Sequence, residues 1–279
     1  MDHPDERAEG AGPFTTRLTW RPAEGGSAVW ESRLARKRGT LRIRAEEGTE
    51  GPPRTADDTA LHRLRILNTV AAGAFTLGGA LFALGAAVTE IGSAGATAAA
   101  SIYFAGGLFF NTGGYASLLQ AVNAPRRSGE TDSLVTGGWR WWSYEPTRID
   151  WLSTFVLFVG TLVFGVNLLD SFLQGLSAQQ VNRLVWAPDM VGCALFLISG
   201  HLALVEACHG PPCLHARNLG WWIVVVDQVG SVLFLASALA AFTRPETGSP
   251  LNADIANWGT FAGAACFSVG GVLQYFERP

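Results

Sequence analysis

From Leu67 onward the chain consists of apolar blocks of about 20 to 27 residues, separated by shorter polar segments. Blocks of that length cross a bilayer as helices, whereas apolar runs of about 10 to 14 residues are more typical of core helices. The pattern therefore predicts an all-α membrane protein with six transmembrane helices. We place the predicted helices at about 64–90, 96–121, 151–173, 184–207, 219–242 and 255–277.

The segment up to Arg65 differs from the rest of the chain in being polar and rich in arginine. We divide the chain into a cytoplasmic arm (1–45) with a short strand, a turn and a basic segment, a flexible Pro/Gly/acid-rich linker (46–62), and a six-helix membrane domain (63–279). Only 15% of the residues are charged, against about a quarter in soluble proteins. The net charge of −3 averages these two unlike parts and so says little about partners.

The basic residues predict the orientation of the helices. Twelve lie in the arm up to Arg65, four in the loop after the second helix, and one each in the fourth loop and the tail. The opposite side of the predicted bundle holds only Arg183 and Arg244. Because cytoplasmic loops are enriched in Lys and Arg, both termini are predicted to be cytoplasmic.

No apolar run lies near the first residues, so we expect the first helix to direct insertion. With Lys37 as the single lysine and abundant Ala and Gly, the composition favours a bacterial plasma membrane protein.

A glycine–phenylalanine pattern recurs through the predicted helices. The second, fourth and sixth helices each carry Gly, Phe four residues on, Gly eight on, and Gln or Glu fourteen on. The first, third and fifth helices share the Gly and the Phe. The chain is therefore predicted to contain three repeated helical hairpins, at about 64–121, 151–207 and 219–277. The predicted packing positions are Gly78, Phe82, Gly106, Phe110, Gly114, Gly160, Phe164, Gly192, Phe196, Gly200, Gly230, Phe234, Gly263, Phe267 and Gly271.

Packing explains why membrane helices would keep this pattern. Small residues allow helix backbones to approach closely in lipid, and a Phe one turn away can fill the groove of a neighbouring glycine. Such faces predict a compact bundle, which argues against a wide channel. The same faces could also bind a second copy of the chain or a membrane partner protein.

The segment WGTFAGAACFSVGGVLQYFE, preceded by VGSVLFLASALAAFTRPETG, resembles the YrhK-like membrane proteins of actinobacteria. The segment WRWWSYEPTRIDWLSTFVLFVGTLVFGVN is similar to the matching part of those proteins. The resemblance covers roughly residues 65–277. It implies the same helical topology, and it implies no activity or catalytic residue, since the family has none established.

Asp227 is an ionisable residue inside a predicted span, where such groups are costly and are functional candidates. The equivalent repeat positions hold Phe75 and Leu157, so the fold does not require a carboxylate there. His201 lies at a comparable depth on the neighbouring helix and could face Asp227 in an antiparallel pair. Two interpretations stay open: a proton-relay or ligand-binding pair, and a structural hydrogen bond or a buried protonated Asp227.

The segment CHGPPCLH contains four candidate metal ligands, Cys208, His209, Cys213 and His215. Thiolates and imidazoles suit zinc or copper, although this spacing matches no recognised zinc finger. The alternative is a Gly-Pro-Pro turn in a reducing compartment, where a disulfide is not expected. No cofactor is expected from the rest of the chain, and zinc is the metal that this segment would bind.

The basic segment of the arm contains Arg33, Arg36, Lys37 and Arg38. It can be interpreted as a contact with the anionic headgroups of membrane lipids, or as a solvated hairpin whose charges enforce topology. The sequence contains no phosphate-binding loop, nucleotide-binding fingerprint, zinc-protease motif or nucleophile elbow, and no nucleic-acid-binding module.

These observations favour a non-enzymatic structural, sensing or accessory membrane protein. One alternative is a small proton-coupled transporter that uses Asp227 and His201, for which internal repeats are typical. A second is a metal-binding membrane redox protein that uses the Cys/His segment.

Overall fold

A computed structural model describes residues 7–22, 25–44, 51, 53–93, 95–127, 134–135, 137–211 and 213–277. The chain is mostly helical, with a small sheet near its amino terminus. Its helices are α1 (Ser32–Arg38), α2 (Asp58–Ile91), α3 (Ala96–Val122), α4 (Ile149–Asp170), α5 (Ala178–Val181), α6 (Ala187–Cys208), α7 (Leu219–Ala240) and α8 (Ala253–Phe276), with a π-helical turn at Asn182–Trp186.

The arm is a five-stranded antiparallel sheet in the order β1-β2-β3-β4-β5. The strands are β1 (Arg7–Glu9), β2 (Arg17–Trp20), β3 (Ser27–Glu31), β4 (Thr40–Arg44) and β5 (Arg54–Thr55). A second small sheet pairs β6 (Arg126–Arg127) with β7 (Leu134–Val135). The sheet core contains Trp20, Leu41 and Ala56, and it continues onto Ala60 at the start of α2 and onto Leu134 of β7. The arm therefore packs on the bundle.

The predicted linker (46–62) is only partly described, since residues 45–50 and 52 lie outside the described ranges. Its last residues belong to α2, which begins at Asp58. The side chain of Asp57 accepts a hydrogen bond of 2.8 Å from the Ala60 N–H and so caps this helix.

Long helices occur at each of the six predicted positions. Four helical segments of the described chain are long and apolar enough to cross a membrane, namely Asp58–Ile91, Ile149–Asp170, Ala178–Cys208 and Leu219–Ala240. The other two, α3 and α8, have 27 and 24 residues. Large apolar side chains cover the outside of the helices, as lipid-facing surfaces require. Examples about half exposed are Leu77, Leu162, Val191, Ile198, Val232, Leu239 and Val269.

The glycines and phenylalanines of the pattern meet where pairs of helices cross. A methyl group built on Gly78 of α2 would lie 2.7 Å from Phe110 of α3, and one on Gly106 of α3 would lie 2.8 Å from Phe82 of α2. Each glycine thus makes room for the ring on the partner helix. The same reciprocal contacts join α4 to α6 and α7 to α8, through Gly160, Phe164, Gly192 and Phe196, and through Gly230, Phe234, Gly263 and Phe267.

The pairs are joined into a closed ring in the order α2, α3, α4, α6, α7, α8. The second glycine of the pattern lies between pairs: Gly114 against α4, Gly200 against α7 and Gly271 against α2. The ring closes where α2 meets α8. There a methyl group on Gly79 would lie 2.6 Å from the Ala264 carbonyl oxygen.

Six phenylalanine rings fill the middle of the ring of helices; we call them the aromatic prism. Phe82, Phe164 and Phe234 form one triangle, with ring centroids 5.4 to 6.5 Å apart. Phe110, Phe196 and Phe267 form a second triangle, at 5.6 to 6.4 Å. Each ring of the first triangle also contacts one of the second, at 5.2 to 5.9 Å. The prism occupies the place where a pore through the bundle would have to run.

Candidate functional site

The helix α1 lies across the arm-side end of the bundle, and we call it the basic cap. Arg36 donates a hydrogen bond of 2.9 Å to Glu206 at the end of α6, and the Ser32 hydroxyl donates one of 2.9 Å to the same carboxylate. Arg36 is 4% exposed and Glu206 is fully buried. A buried charge without a partner is very costly, so each of these two residues requires the other.

A second ion pair ties the basic cap to the end of α8. The Arg33 guanidinium donates two hydrogen bonds, of 3.0 and 2.7 Å, to the two oxygens of the Glu277 carboxylate. Gly220 of α7 lies directly against this pair, and a side chain at that position would collide with it. Burial alone would lower the pKa of Arg33, but the Glu277 charge raises it above its ordinary value. Arg33 therefore stays cationic.

Lys37 occupies the third position on the basic cap and has a neutral partner. Its ammonium group donates a hydrogen bond of 3.1 Å to the Asn68 side chain on α2. The Asn68 side chain in turn donates to the Gln274 carbonyl oxygen at 2.9 Å. Burial, and then the neighbouring Arg36 charge, lower the pKa of Lys37 to about 7. This lysine therefore changes its charge near neutral pH.

The four cations of the predicted lipid contact lie in two different surroundings. Arg36 and Lys37 are buried, and Arg33 is paired with Glu277, so these three cations are directed into the bundle. The physical reason is that the ends of α6 and α8 present buried carboxylates that need cationic partners. Arg38 is exposed, and it is the residue of the four to which the lipid interpretation still applies.

Beneath the basic cap lies a cavity of about 90 Å³, the axial cavity, whose floor is formed by rings of the aromatic prism. The first helix of each pair contributes an equivalent residue to its lining, namely Phe75, Leu157 and Asp227. The second helix of each pair does the same with Ser117, Ala203 and Gln274. A cavity of this size with polar lining groups is large enough to hold water. Asp227 is the one carboxylate among the described residues that line the cavity, and its repeat counterparts Phe75 and Leu157 are apolar.

The predicted pairing of Asp227 with His201 is not seen. The Asp227 carboxylate lies against Gly270 of α8 and lines the axial cavity, whereas His201 is exposed on the outside of the bundle. No hydrogen bond or ion pair between the two is found in the described residues. Gly200 already faces α7, and the next residue along a helix is rotated by about 100°. His201 therefore points away from Asp227.

The predicted metal site is not assembled either. Cys208 and Cys213 form a disulfide, contrary to the expectation of free thiols, so they cannot act as two thiolate ligands. His215 lies beside Cys213, with Nδ1 3.3 Å from Sγ, but His209 is directed elsewhere. Within the described ranges no group of three or more His, Cys, Asp or Glu side chains is placed to hold a metal ion.

His209 instead connects the end of α6 to the arm. Its Nδ1 lies 3.1 Å from the Thr16 hydroxyl, and its Nε2 lies 3.9 Å from the Glu31 carboxylate. Burial lowers the pKa of His209, although Glu31 acts in the opposite direction. The sequence made His209 a candidate metal ligand, with a simple turn as the alternative, and it did not identify Glu206 and Glu277 as docking sites. The signal that could have found them is two acidic residues at equivalent helix ends on the arginine-rich side.

Comparisons of the chain with family models, with curated proteins and with solved structures found no match. The resemblance to the YrhK-like proteins therefore stays a prediction from the sequence.

Proposed function

We propose that this protein is a six-span plasma membrane protein, built from three related helix pairs, with both termini in the cytoplasm. The bundle acts as a non-enzymatic scaffold that holds the amino-terminal arm, and the protein serves as a structural, sensing or accessory module. The observation that carries the proposal is the docking of the basic cap through two buried ion pairs, Arg36–Glu206 and Arg33–Glu277.

Three features support the six spans and the repeat. At about 1.5 Å per residue, α3 and α8 are about 40 and 36 Å long, enough for a hydrocarbon core of about 30 Å. The reciprocal Gly–Phe contacts occur at the same positions in all three helix pairs. The surplus of arginine on the side of the arm supports the cytoplasmic orientation.

The aromatic prism supports a role other than conduction. Six rings in mutual contact fill the axis, so a solute would have to displace a close-packed core to pass. Arg33, Arg36 and Lys37 of the basic cap line the axial cavity from the other side. A bundle blocked at its centre and covered at one end is suited to holding a domain in a defined position.

Docking can be tested by limited trypsin digestion of the purified protein, because trypsin cleaves after Arg and Lys and must unfold the basic cap to cut at Arg36 or Lys37. We expect the double variant E206Q/E277Q to be cut within the cap at least ten times faster than the wild type. The matched control is E246Q, which changes an exposed glutamate and should be cut at the wild-type rate. Equal cleavage rates for all three proteins would refute the docking role.

A proton-coupled carrier is the second candidate, and Asp227 in the axial cavity favours it. Proteoliposomes with an internal pH-sensitive dye separate the two candidates. The leading proposal expects no proton flux above that of protein-free vesicles, with a gradient in either direction. A wild-type flux that D227N abolishes, while the H201N variant retains it, would replace the leading proposal with a carrier centred on the axial cavity.

A further inference from the structure

A basic cleft lies on the arm side of the bundle, away from the axial cavity. It lies between the start of α2, the end of α3 and the loop that precedes α4, and its volume is about 460 Å³. Three guanidinium groups line it, those of Arg63, Arg126 and Arg140, together with Trp139 and the backbone at Gly137 and Gly138. We call it the arginine cleft.

The arginine cleft carries more positive charge than the described residues around it neutralise. Arg126 and Arg140 both pair with the Glu145 carboxylate, the latter with 3.5 Å between Nη1 and Oε1. Arg148 pairs with Glu145 as well, and with Asp150, at 2.5 Å each. Although burial alone would raise the pKa of Glu145, its hydrogen bond with Arg148 and that cation's charge lower it, so this carboxylate is already ionised.

Arg63 completes the excess of cations. It lines the cleft, and no ion pair or hydrogen bond of its side chain is found among the described residues. Four guanidiniums thus share two carboxylates among the described residues around the cleft. The Trp139 indole N–H, which is buried in the cleft wall, also has no acceptor among these residues, whereas buried donors normally have one. An anion bound in the cleft would give the Arg63 guanidinium and the Trp139 N–H hydrogen-bond partners.

The loop beside the cleft identifies where such an anion would come from. Trp141, Trp142 and Tyr144 follow the cleft residues directly and are 66%, 51% and 76% exposed. Exposed Trp and Tyr beside the end of a membrane helix are typical of the lipid headgroup region, where the ring is buried and the polar edge stays hydrated. The cleft is therefore expected to lie at the depth of lipid phosphates.

We propose that the arginine cleft binds the phosphate of an anionic phospholipid headgroup. Arg63, Arg126 and Arg140 bind the phosphate oxygens, because planar guanidiniums pair with phosphate through two parallel hydrogen bonds. Trp141, Trp142 and Tyr144 hold the loop in the interface beside the acyl chains. Basic pockets between membrane helices on the cytoplasmic side are suited to such headgroups. This site is independent of the basic cap.

The test uses the full chain in two kinds of nanodisc, one of phosphatidylcholine alone and one of phosphatidylcholine with phosphatidylglycerol as the minor component. Native mass spectrometry counts the lipids that stay bound after the disc is removed. We expect the wild type to retain one phosphatidylglycerol per chain in preference to phosphatidylcholine. R63Q should lower that retention at least fivefold, and R126Q, which changes a half-exposed side chain, should do the same.

R65Q is the matched control, since Arg65 is an exposed arginine two residues further along the same helix. It should retain the lipid as the wild type does. Equal losses in R63Q and R65Q would show only general surface attraction and would overturn the proposal. A separate titration with inorganic phosphate distinguishes the source of the anion. Phosphate binding that depends on Arg63, together with no preferential lipid retention, would assign the cleft to a soluble phosphate and refute the lipid site.

Discussion

The closest backbone approach in the bundle lies where α2 meets α8, and substituting Gly79 by Ala tests it directly. The new methyl group would lie 2.6 Å from the Ala264 carbonyl oxygen and 2.7 Å from the Ser268 nitrogen. Both atoms belong to the backbone of α8, so no side chain can rotate away. The two helices would have to separate by several tenths of an ångström along a contact that also closes the ring.

The expected cost follows from these distances. Overpacking of a close-packed interior costs about 1–3 kcal/mol, and the rigid obstacle favours the upper end of that range. Gly73→Ala is the matched control, because it lies in the same helix with no atom within 4 Å of its added methyl group. Ala is favoured over Gly in a helix by about 1 kcal/mol, so the control should be neutral or slightly stabilising. Both variants gain this helix propensity, so it cancels between them, and we expect a difference of about 2–3 kcal/mol from the overpacking alone.

Unfolding by sodium dodecyl sulfate in mixed micelles, followed by tryptophan fluorescence, measures both free energies under the same conditions. G79A should unfold at a lower detergent fraction than the wild type, and G73A should not. Substitutions that touch nothing usually change stability by no more than about 0.5 kcal/mol. If the two variants differ by no more than that, α2 and α8 do not approach each other as described, and the closed ring is wrong.

Three further predictions concern the basic cap and the cysteine pair. E206Q should destabilise the protein by about 3–5 kcal/mol in the same unfolding assay, because Arg36 is left as an uncompensated buried charge. The double variant R36M/E206L removes both charges and should cost much less stability. Equal losses of stability in the two variants would contradict a buried ion pair. Docking of the cap should strengthen as pH rises from about 7 to about 10.5. The pKa of Lys37 is about 7 in the folded protein and 10.5 ordinarily, so over that range the unfolded state binds more protons than the folded state. The trypsin cleavage rate within the cap, divided at each pH by the rate on a model substrate, should fall over that range. The K37M variant should lose this pH dependence. In protein purified without a reductant, Cys208 and Cys213 should react with a maleimide only after reduction, and immediate labelling of both thiols would refute the disulfide. In cells the proposed cytoplasmic orientation places both cysteines in a reducing compartment, so they should label without added reductant, and protection of both from labelling would contradict that orientation.

The glycine–phenylalanine positions could be predicted because helix packing is a local rule. Residues four apart share a face, so Gly78 and Phe82 must lie on the same side of α2 whatever the rest of the chain does. The sequence also predicted which helices would carry matching faces. The two triangles of rings could not be predicted, since they depend on how three pairs are arranged around one axis.

The candidate site was less predictable because its contacts are remote in sequence. Arg36 and Glu206 are 170 residues apart, and a basic segment before a membrane helix is, taken locally, typical of a headgroup contact. The position of Asp227 inside the bundle could be inferred from its depth in an apolar block. Its partner could not, because comparable depth places His201 at the right height but says nothing of the direction in which its side chain points.

The contact between α2 and α8 also constrains the order of synthesis. The partners of Gly79 and of Arg33 lie in or just after α8, so neither contact can form until α8 has been synthesised. Until then the inner face of α2 stays open to lipid or to a membrane chaperone. The Arg33–Glu277 pair, whose members are 244 residues apart, therefore joins the basic cap to the bundle only after all six long helices have been synthesised.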